Sequence, residues 1–475
     1  MLTIGEIAQA LDAAPPLGAD WTLAETVIDS RQARPGDLFV ALPGETHDGH
    51  EFVAAAFQRG ARAALVTPAI RQQALDADEW EPASGEAQPP MGERALCIIV
   101  PDVLAALQRI AAWRRRQRPA CQVIGVTGSV GKTTTKEAVA AVVAQRYETL
   151  RSPGNYNNEI GLPLTLLQLE PRHQRAVLEM SMYALGEIAL LAELAAPRIG
   201  VVTNVEPIHL ERLGSLEAIA QAKAELPRAL PPEGAAVLNG DDPRVRAMAA
   251  LTPARRVLTF GLASDNELWA DGIVSRGLQG TALTLHHQGR AVALETPMLG
   301  AHSAWAALAA AGVGLVEGLS WDEIAAGLGQ PNPPLRMVIR RGLRGAMILD
   351  DTYNAGPSST VAALDFLATL PGRPVAVLGD MLELGSYERE GHRQVGRKAG
   401  QVASELVTMG TRARAIAEAA REAGLAGSAI HQAASHAEAV AILRERLQAG
   451  DVVLVKGSRS MAMDKIVAAI GEETA

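Results

Sequence analysis

Cysteine and aromatic side chains are scarce here: the 475-residue chain has two cysteines, and Phe, Trp and Tyr make up 3% of it. Cys97 and Cys121 are too few for a disulfide framework or a metal cluster. Both lie in apolar, strand-like runs, so buried free thiols in a reducing compartment are expected. With so few aromatics, the cores must be filled by Ala, Leu and Val. No run of about 18 apolar residues occurs, and the opening MLTIGEIAQAL lacks a basic-then-apolar leader pattern, so no membrane insertion is expected. Basic blocks are missing too, apart from Arg114-Arg115-Arg116. That triplet follows the helical stripe Leu104, Leu107, Ile110 and Trp113, and it reads as one solvated helix end rather than a nucleic-acid footprint. A net charge of -9 agrees with a cytoplasmic protein that has no nucleic-acid partner.

Hydrophobic residues make up 48% of the chain and charged ones 20%, the balance of a folded protein. The length predicts about three domains. Residues 1–101 mix short strands and helices (TVIDSR, DLFVAL, EFVAAAFQRG, AALV, ALCIIV), which predicts a small α/β unit; the polar stretch from Asp76 to Arg94 reads as a solvated loop before its last strand. Residues 102–332 alternate near-continuous apolar strands (CQVIGVTG, RAVLEM, RIGVVTN, AAVLNGDD, RRVLTFG) with Ala/Leu-rich helices, the pattern of a mainly parallel, doubly covered sheet. Prolines at 331, 333 and 334 mark a boundary. Over 333–475 the alternation resumes with AMILDD, PVAVLGD, ELVTMG and DVVLVKG, which predicts a Rossmann-like domain with ligands at the strand ends. The predicted fold class is therefore α/β with three domains: a central, mainly parallel P-loop ATPase sheet flanked by a small N-terminal α/β domain and a C-terminal Rossmann-like domain.

The strongest chemical signal is CQVIGVTGSVGKTTTK at 121–136. A short apolar strand leads into a glycine-punctuated turn and then a helical segment, an arrangement suited to a polyphosphate. Backbone amides over Gly128, Ser129, Val130, Gly131, Lys132, Thr133 and Thr134 can form an anion nest. Lys132 can neutralise the outer phosphates, and the Thr133 hydroxyl can ligate Mg2+. Val126 stands where the general G-x-x-x-x-G-K-[ST] spacing has glycine, so Gly128 must supply the tight turn.

Other candidates stand at strand ends. Glu179 closes AVLEM and His209 follows IGVVTN; each is either a strand-end polar group facing solvent or part of a Mg2+-triphosphate site. Lys223, in IAQAKAELPRAL, reads by pattern alone as one more solvated helix lysine. Asp350-Asp351-Thr352-Tyr353-Asn354 and Lys456-Gly457-Ser458 also follow strands and serve either turns or a ligand. Near the start, Asp29-Ser30-Arg31 and the run Gly44 to His50 offer turn chemistry or contacts to a diphosphate or a uracil edge.

Taken together, TGSVGKTT, GNYNNEIGLP, the strand ends at Glu179 and His209, and AKAEL make the chain resemble the Mur ligases, ATP-dependent amide-forming enzymes of peptidoglycan synthesis. IDSRQARPGDLFVALPGETHDGHEFVAAA, LDDTYNAGPSS, VLGDMLELG and LVKGSRSMAMDKIV extend the likeness over all three inferred domains. The resemblance implies ATP, one or two Mg2+ ions, and an acyl-phosphate route joining D-Ala-D-Ala to a UDP-MurNAc-tripeptide, carried out by a monomer. It implies uridine-diphosphate contacts at Ser30 and Arg31 and polar groups near the sugar-peptide channel at Asn157 and Asn158. Metal ligation is implied at Thr133, Glu179, His209 and a carbamylated Lys223. Nucleotide contacts are implied at Arg336, Asp351 and Asn354. In GAHSAWAALAA, Ser303 and Ala306 stand where the family carries asparagines, the later of which contacts adenine.

Overall fold

The computed structural model describes the chain except residues 17–19, 45–46, 74, 85–93, 209, 332–336 and 473–475. Its described residues form two compact units. One comprises Met1–Gly125, Tyr147–Ser181 and Glu187–Arg198; the other comprises Val126–Arg146, Met182–Gly186 and Ile199–Ala475.

Strands β1 (Leu2–Thr3) and β2 (Thr22–Leu23) form a short antiparallel pair. Next comes a five-stranded parallel sheet of β3 (Thr26–Val27), β4 (Leu38–Val40), β5 (Ala63–Val66), β6 (Ala77–Trp80) and β7 (Ala95–Ile99), in the order β3-β4-β5-β7-β6. Its core joins Phe39, Ala64, Val66, Cys97 and Ile99 to Val53 and Ala56 of a covering helix. Both cysteines are buried free thiols, and burial pushes Cys97 up to about 12. The stretch from Asp76 to Arg94 is not all loop. Ala77–Trp80 is an edge strand in register with β7, anchored by the buried Trp80, and its acidic neighbours pair with Arg71 and Arg94. One buried aromatic and a parallel ladder are enough to order a segment whose composition looks solvated.

A nine-stranded sheet contains β8 (Gln122–Thr127), β9 (Thr149–Arg151), β10 (Arg175–Glu179), β11 (Ile199–Val202), β12 (Ala235–Asn239), β13 (Arg256–Gly261), β14 (Leu268–Ser275), β15 (Thr281–His287) and β16 (Arg290–Thr296). Their order is β16-β15-β14-β13-β12-β11-β8-β10-β9. Strands such as β12 are buried along their whole length, as a sheet covered on both faces requires. The last three strands go beyond the sequence expectation: β14, β15 and β16 pair antiparallel. Gln288 and Gly289, both at positive φ, form the two-residue turn between β15 and β16.

The third sheet contains β17 (Val338–Arg341), β18 (Met347–Asp350), β19 (Arg373–Gly379), β20 (Glu405–Met409), β21 (Ile430–Ala433) and β22 (Asp451–Lys456), in the order β17-β18-β22-β19-β20-β21. All its pairs are parallel except β17 with β18. Alternate side chains feed two cores: Leu349, Ala376, Leu378 and Leu454 pack on helix residues Leu364, Val395 and Ile416, while Ile348, Val375, Val377 and Val453 pack on Leu443 and Ile466. This is the doubly wound form read from the sequence. With the two sheets before it, it makes a three-domain α/β fold.

The Arg114-Arg115-Arg116 triplet corrects the sequence reading. It ends the helix Val103–Arg116, but Arg114 and Arg115 are buried rather than solvated. Arg115 donates to the carbonyls of Ala195, Arg118 and Ala196, and Arg114 to that of Leu169. These guanidinium groups satisfy backbone oxygens that a helix end and its neighbours leave open. Among the described residues no helix is long and apolar enough to cross a membrane.

Candidate active site

In the second unit, β8 runs into the turn 128–131 and then into the helix Lys132–Val143. Gly128 has φ 146, and a Cβ there would stand 1.8 Å from Thr203 Oγ1, so only glycine fits. Gly131, at φ 82, occupies the helix N-cap, where it has no side chain to offer the first amides. An uncapped helix start of this kind favours an anion.

The turn is lashed to the end of β11. Ser129 N donates to Asn204 O at 2.9 Å, Val130 N donates to Asn204 Oδ1 at 2.8 Å, and Thr203 Oγ1 donates to Val130 O at 2.7 Å. Two amides assigned from sequence to the phosphate nest are thus held by Asn204, which leaves the anion-facing role to the start of the helix. Lys132 Nζ rests on its own loop, donating to the carbonyls of Gly128 and Ser129, both at 2.9 Å.

Lys223 departs from the solvated reading. It lies in the helix Leu216–Arg228 and is buried with Ile219, Ala222 and Leu226. Those positions form one stripe at helical spacing, so a lysine inside it was a legible sign of burial. Burial, reinforced by the neighbouring Lys132 charge, holds its ammonium pKa well below the ordinary lysine value. The shift makes the neutral amine, the form that reacts with CO2, more accessible than in an exposed lysine.

Two strand-end candidates come together. Lys456 Nζ, at the end of β22, donates to Asp351 Oδ2 at 2.6 Å and to Asn354 O at 2.8 Å. Asp350 instead pairs with Arg340 across β17 and β18. Ser458 Oγ accepts from Leu382 N, tying this turn to the GDMLELG loop.

A cavity of about 440 Å3 opens between these groups, well within the size range of small-molecule sites. Its wall runs from Gly131 and Thr134 past Glu206, Asp241 and Trp305 to Asp351 and Lys456. Glu206 is pushed above the usual carboxylate range, chiefly by burial, despite a hydrogen bond with Ser358. Glu206, Asn239, Asp241 and Trp305 escaped the sequence reading, although NGDD directly after an apolar strand is a strand-end polar cluster that could have drawn notice.

In the first unit, Glu179 ends β10 and is 1% exposed. Asn157 Nδ2 donates to its Oε1 at 2.8 Å, Glu179 N donates to Ser152 Oγ, and Glu179 Oε2 is buried without a hydrogen-bond partner. A buried carboxylate with one oxygen unspent fits a hard cation such as Mg2+. Asn158 Oδ1 accepts from Gly161 N at the start of the next helix. Ser30 is buried in the turn after β3, while the Arg31 guanidinium is largely exposed and gripped by Asp29 at 2.7 Å. That pairing draws the Asp29 carboxyl below its ordinary value and raises Arg31. His209 and Arg336 lie outside the described residues. Among the described residues no group of three His, Cys, Asp or Glu side chains is placed to hold a metal.

Three family models match in chain order: Mur ligase family, catalytic domain, at residues 23–115; Mur ligase middle domain at 126–314; and Mur ligase, glutamate ligase domain, at 335–459. The chain is 39% identical to a UDP-N-acetylmuramoyl-tripeptide--D-alanyl-D-alanine ligase from Synechocystis sp. over 456 residues, covering 95% of this chain and 92% of that one. Its fold is similar to crystal structure I of MurF from Acinetobacter baumannii, with TM-score 0.81, 29% identity and 98% of each chain covered. It is also similar to MurF from Thermotoga maritima in complex with ADP, with TM-score 0.75, 26% identity, and 94% and 96% covered.

Proposed function

Since the chain belongs to the Mur ligase family and is an ATP-dependent ligase, we propose that it joins D-alanyl-D-alanine to a UDP-N-acetylmuramoyl-tripeptide through an acyl phosphate, forming ADP and phosphate. The observation that carries this reading is the cavity that leads from the uncapped helix start at Gly131 to Asp351 and Lys456.

A terminal carboxylate oxygen of the tripeptide attacks the γ-phosphorus, and ADP leaves. The dipeptide's amine then sheds a proton and attacks the acyl carbon; phosphate departs with the transferred oxygen, and the amide remains. In the first step an anion meets a polyanion, so neutralising charge is the main demand on the site. Lys132 meets it by exchanging its two loop carbonyls for phosphate oxygens, and the helix start adds its amides.

Thr133, Glu179, His209 and a carbamylated Lys223 would hold one or two Mg2+ ions. When bound, these supply Lewis-acid stabilisation of phosphate charge. The unspent Glu179 Oε2 supports that role for Glu179. For Lys223, its Nζ lone pair would attack CO2 and lose a proton, turning a costly buried ammonium into an anionic oxygen ligand; the depressed pKa supports this. Asp351, Asn354 and Arg336 would contact the nucleotide. Ser30, Arg31, Asn157 and Asn158 would serve the UDP-sugar peptide.

The division of labour follows residues 1–101 for the UDP-sugar, 102–332 for ATP and 333–475 for closing on nucleotide and amine, supported by three family matches in that order. The enzyme works as a cytoplasmic monomer. The test is phosphate release from ATP with each substrate alone and with both, together with 18O in the tripeptide carboxylate. Release that needs both substrates and carries label into phosphate is expected. Turnover without them would instead favour an ATPase whose hydrolysis drives motion.

A further inference from the structure

We propose that the nucleobase is gripped by the Trp305 indole and enclosing walls, without a side chain that discriminates between bases at its hydrogen-bonding edge, so that guanine is accepted nearly as well as adenine. This rests on the ATP-ligase reading and refines which nucleotides it admits.

The sheet order puts β12 two strands and β13 three strands from β8, about 10 and 14 Å away at the usual strand spacing. With the phosphates at the helix start of Gly131, the base falls near the ends of β12 and β13, where Asn239, Asp241, Phe260 and Trp305 line the cavity. Most of the polar side chains there are already engaged within the protein. Asp241 accepts four hydrogen bonds, from Leu262 N, Ala263 N, Asn266 Nδ2 and Trp305 Nε1, which fills a carboxylate. Asp242 accepts from the amides of Val205, Arg244 and Val245. The Asn239 amide donates to Thr203 O and accepts from Asp241 N. The single Ser303 hydroxyl proton has Thr281 Oγ1 and Met298 O as alternative acceptors. Farther along, Glu206 and Ser358 engage each other.

His302 also lines the cavity, beside Asp351 and Lys456. An imidazole can present either a donor or an acceptor by changing tautomer, so it meets the 6-amino group of adenine and the 6-oxo group of guanine alike. Trp305 is the distinctive fixture, because its bond to Asp241 locks the ring plane. Stacking is indifferent to edge chemistry. A site built to hydrogen-bond one edge rejects the wrong partner by about 10^4-fold or more; a stacking site does not.

The experiment measures kcat/KM for ATP and GTP with both substrates, and ADP and GDP affinity by calorimetry, for the unaltered chain, Trp305→Phe and Trp305→Ala. Expected are GTP within about ten-fold of ATP, ADP and GDP weakened alike by about ten-fold or more in Trp305→Ala, and most of that loss recovered in Trp305→Phe, which keeps a ring but also lacks the Asp241 bond. A thousand-fold preference for ATP overturns the proposal, as does a Trp305→Phe chain that binds ADP no better than Trp305→Ala. If no nucleotide supports phosphate release with both substrates, yet ADP and GDP bind alike through Trp305, the ligase reading fails while the stacking site stands.

Discussion

The side-chain amide of Asn157 donates to Oε1 of Glu179 at 2.8 Å, while Oε2 of the same carboxylate is buried without a partner. One oxygen is spent on orientation and the other is kept for something else. A hydrogen-bonded partner behind a metal-binding carboxylate fixes its rotamer, and losing such a partner commonly weakens metal affinity by about 10–100-fold. Asn157→Ala should therefore raise the Mg2+ concentration needed for half-maximal ligation by about that factor. Mn2+ binding in the presence of ADP, followed by electron paramagnetic resonance, should weaken in parallel. Unchanged Mn2+ affinity would confine Asn157 to shaping its loop.

Lys132→Ala removes the ammonium that rests on the turn while leaving Gly128 and Gly131, which set its shape. Ligation should fall by about 10^3-fold or more with little change in thermal midpoint. Residual turnover within ten-fold of the unaltered chain would defeat the assignment of phosphate charge to this residue.

Lys223 ties activity to stability in opposite directions. Its native pKa lies below the unfolded value of 10.5, so between the two values the unfolded chain binds more protons and stability rises with pH. The burial penalty is thus full at lower pH and gone above about 10.5. In CO2-free buffer Lys223→Met should raise the thermal midpoint by about 2 °C or more near neutral pH, with the gain vanishing at the alkaline end. Lys223→Ala should lose ligation and regain much of it with added short carboxylic acids. A Lys223→Met chain less stable than the parent would mean that the amine has a stabilising partner.

Arg115 holds three backbone carbonyls from inside the fold, at 2.8, 2.9 and 3.4 Å. Arg115→Ala should destabilise by about 2 kcal/mol or more, and Arg115→Lys should recover little because an ammonium lacks the planar fork. Chemical denaturation of both variants decides it; wild-type stability in Arg115→Ala would restore the solvated description.

The glycine turn between strand and helix was legible because its backbone leaves few alternatives: Gly128 and Gly131 adopt positive φ, and a strand and a helix flank them. The doubly wound third sheet was legible because buried strands advertise themselves as apolar runs. The antiparallel strands β14 to β16 were passed over, since each carries a half-exposed, alternating pattern weaker than its neighbours. Lys223 and Arg115 were misjudged for a shared reason. A charged residue is usually outside, and only the stripe it occupies, or the carbonyls it can reach, reveals the exception. Asp241 and Trp305 are 64 residues apart, and nothing local in the sequence announces that they meet.

Lys132 is folded back on the carbonyls of Gly128 and Ser129, and in the proposed reaction these oxygens hold the place of phosphate oxygens. Bonds from Thr203 and Asn204 to Ser129 and Val130 hold the curvature of the loop from within the protein. Recognition then becomes a swap of oxygen for oxygen around a fixed cation, so affinity reflects the difference between two sets of contacts and not the sum of the new ones. On that proposal, a nucleotide that loses its outermost phosphate would hand the ammonium back to the loop, which would favour departure of the product.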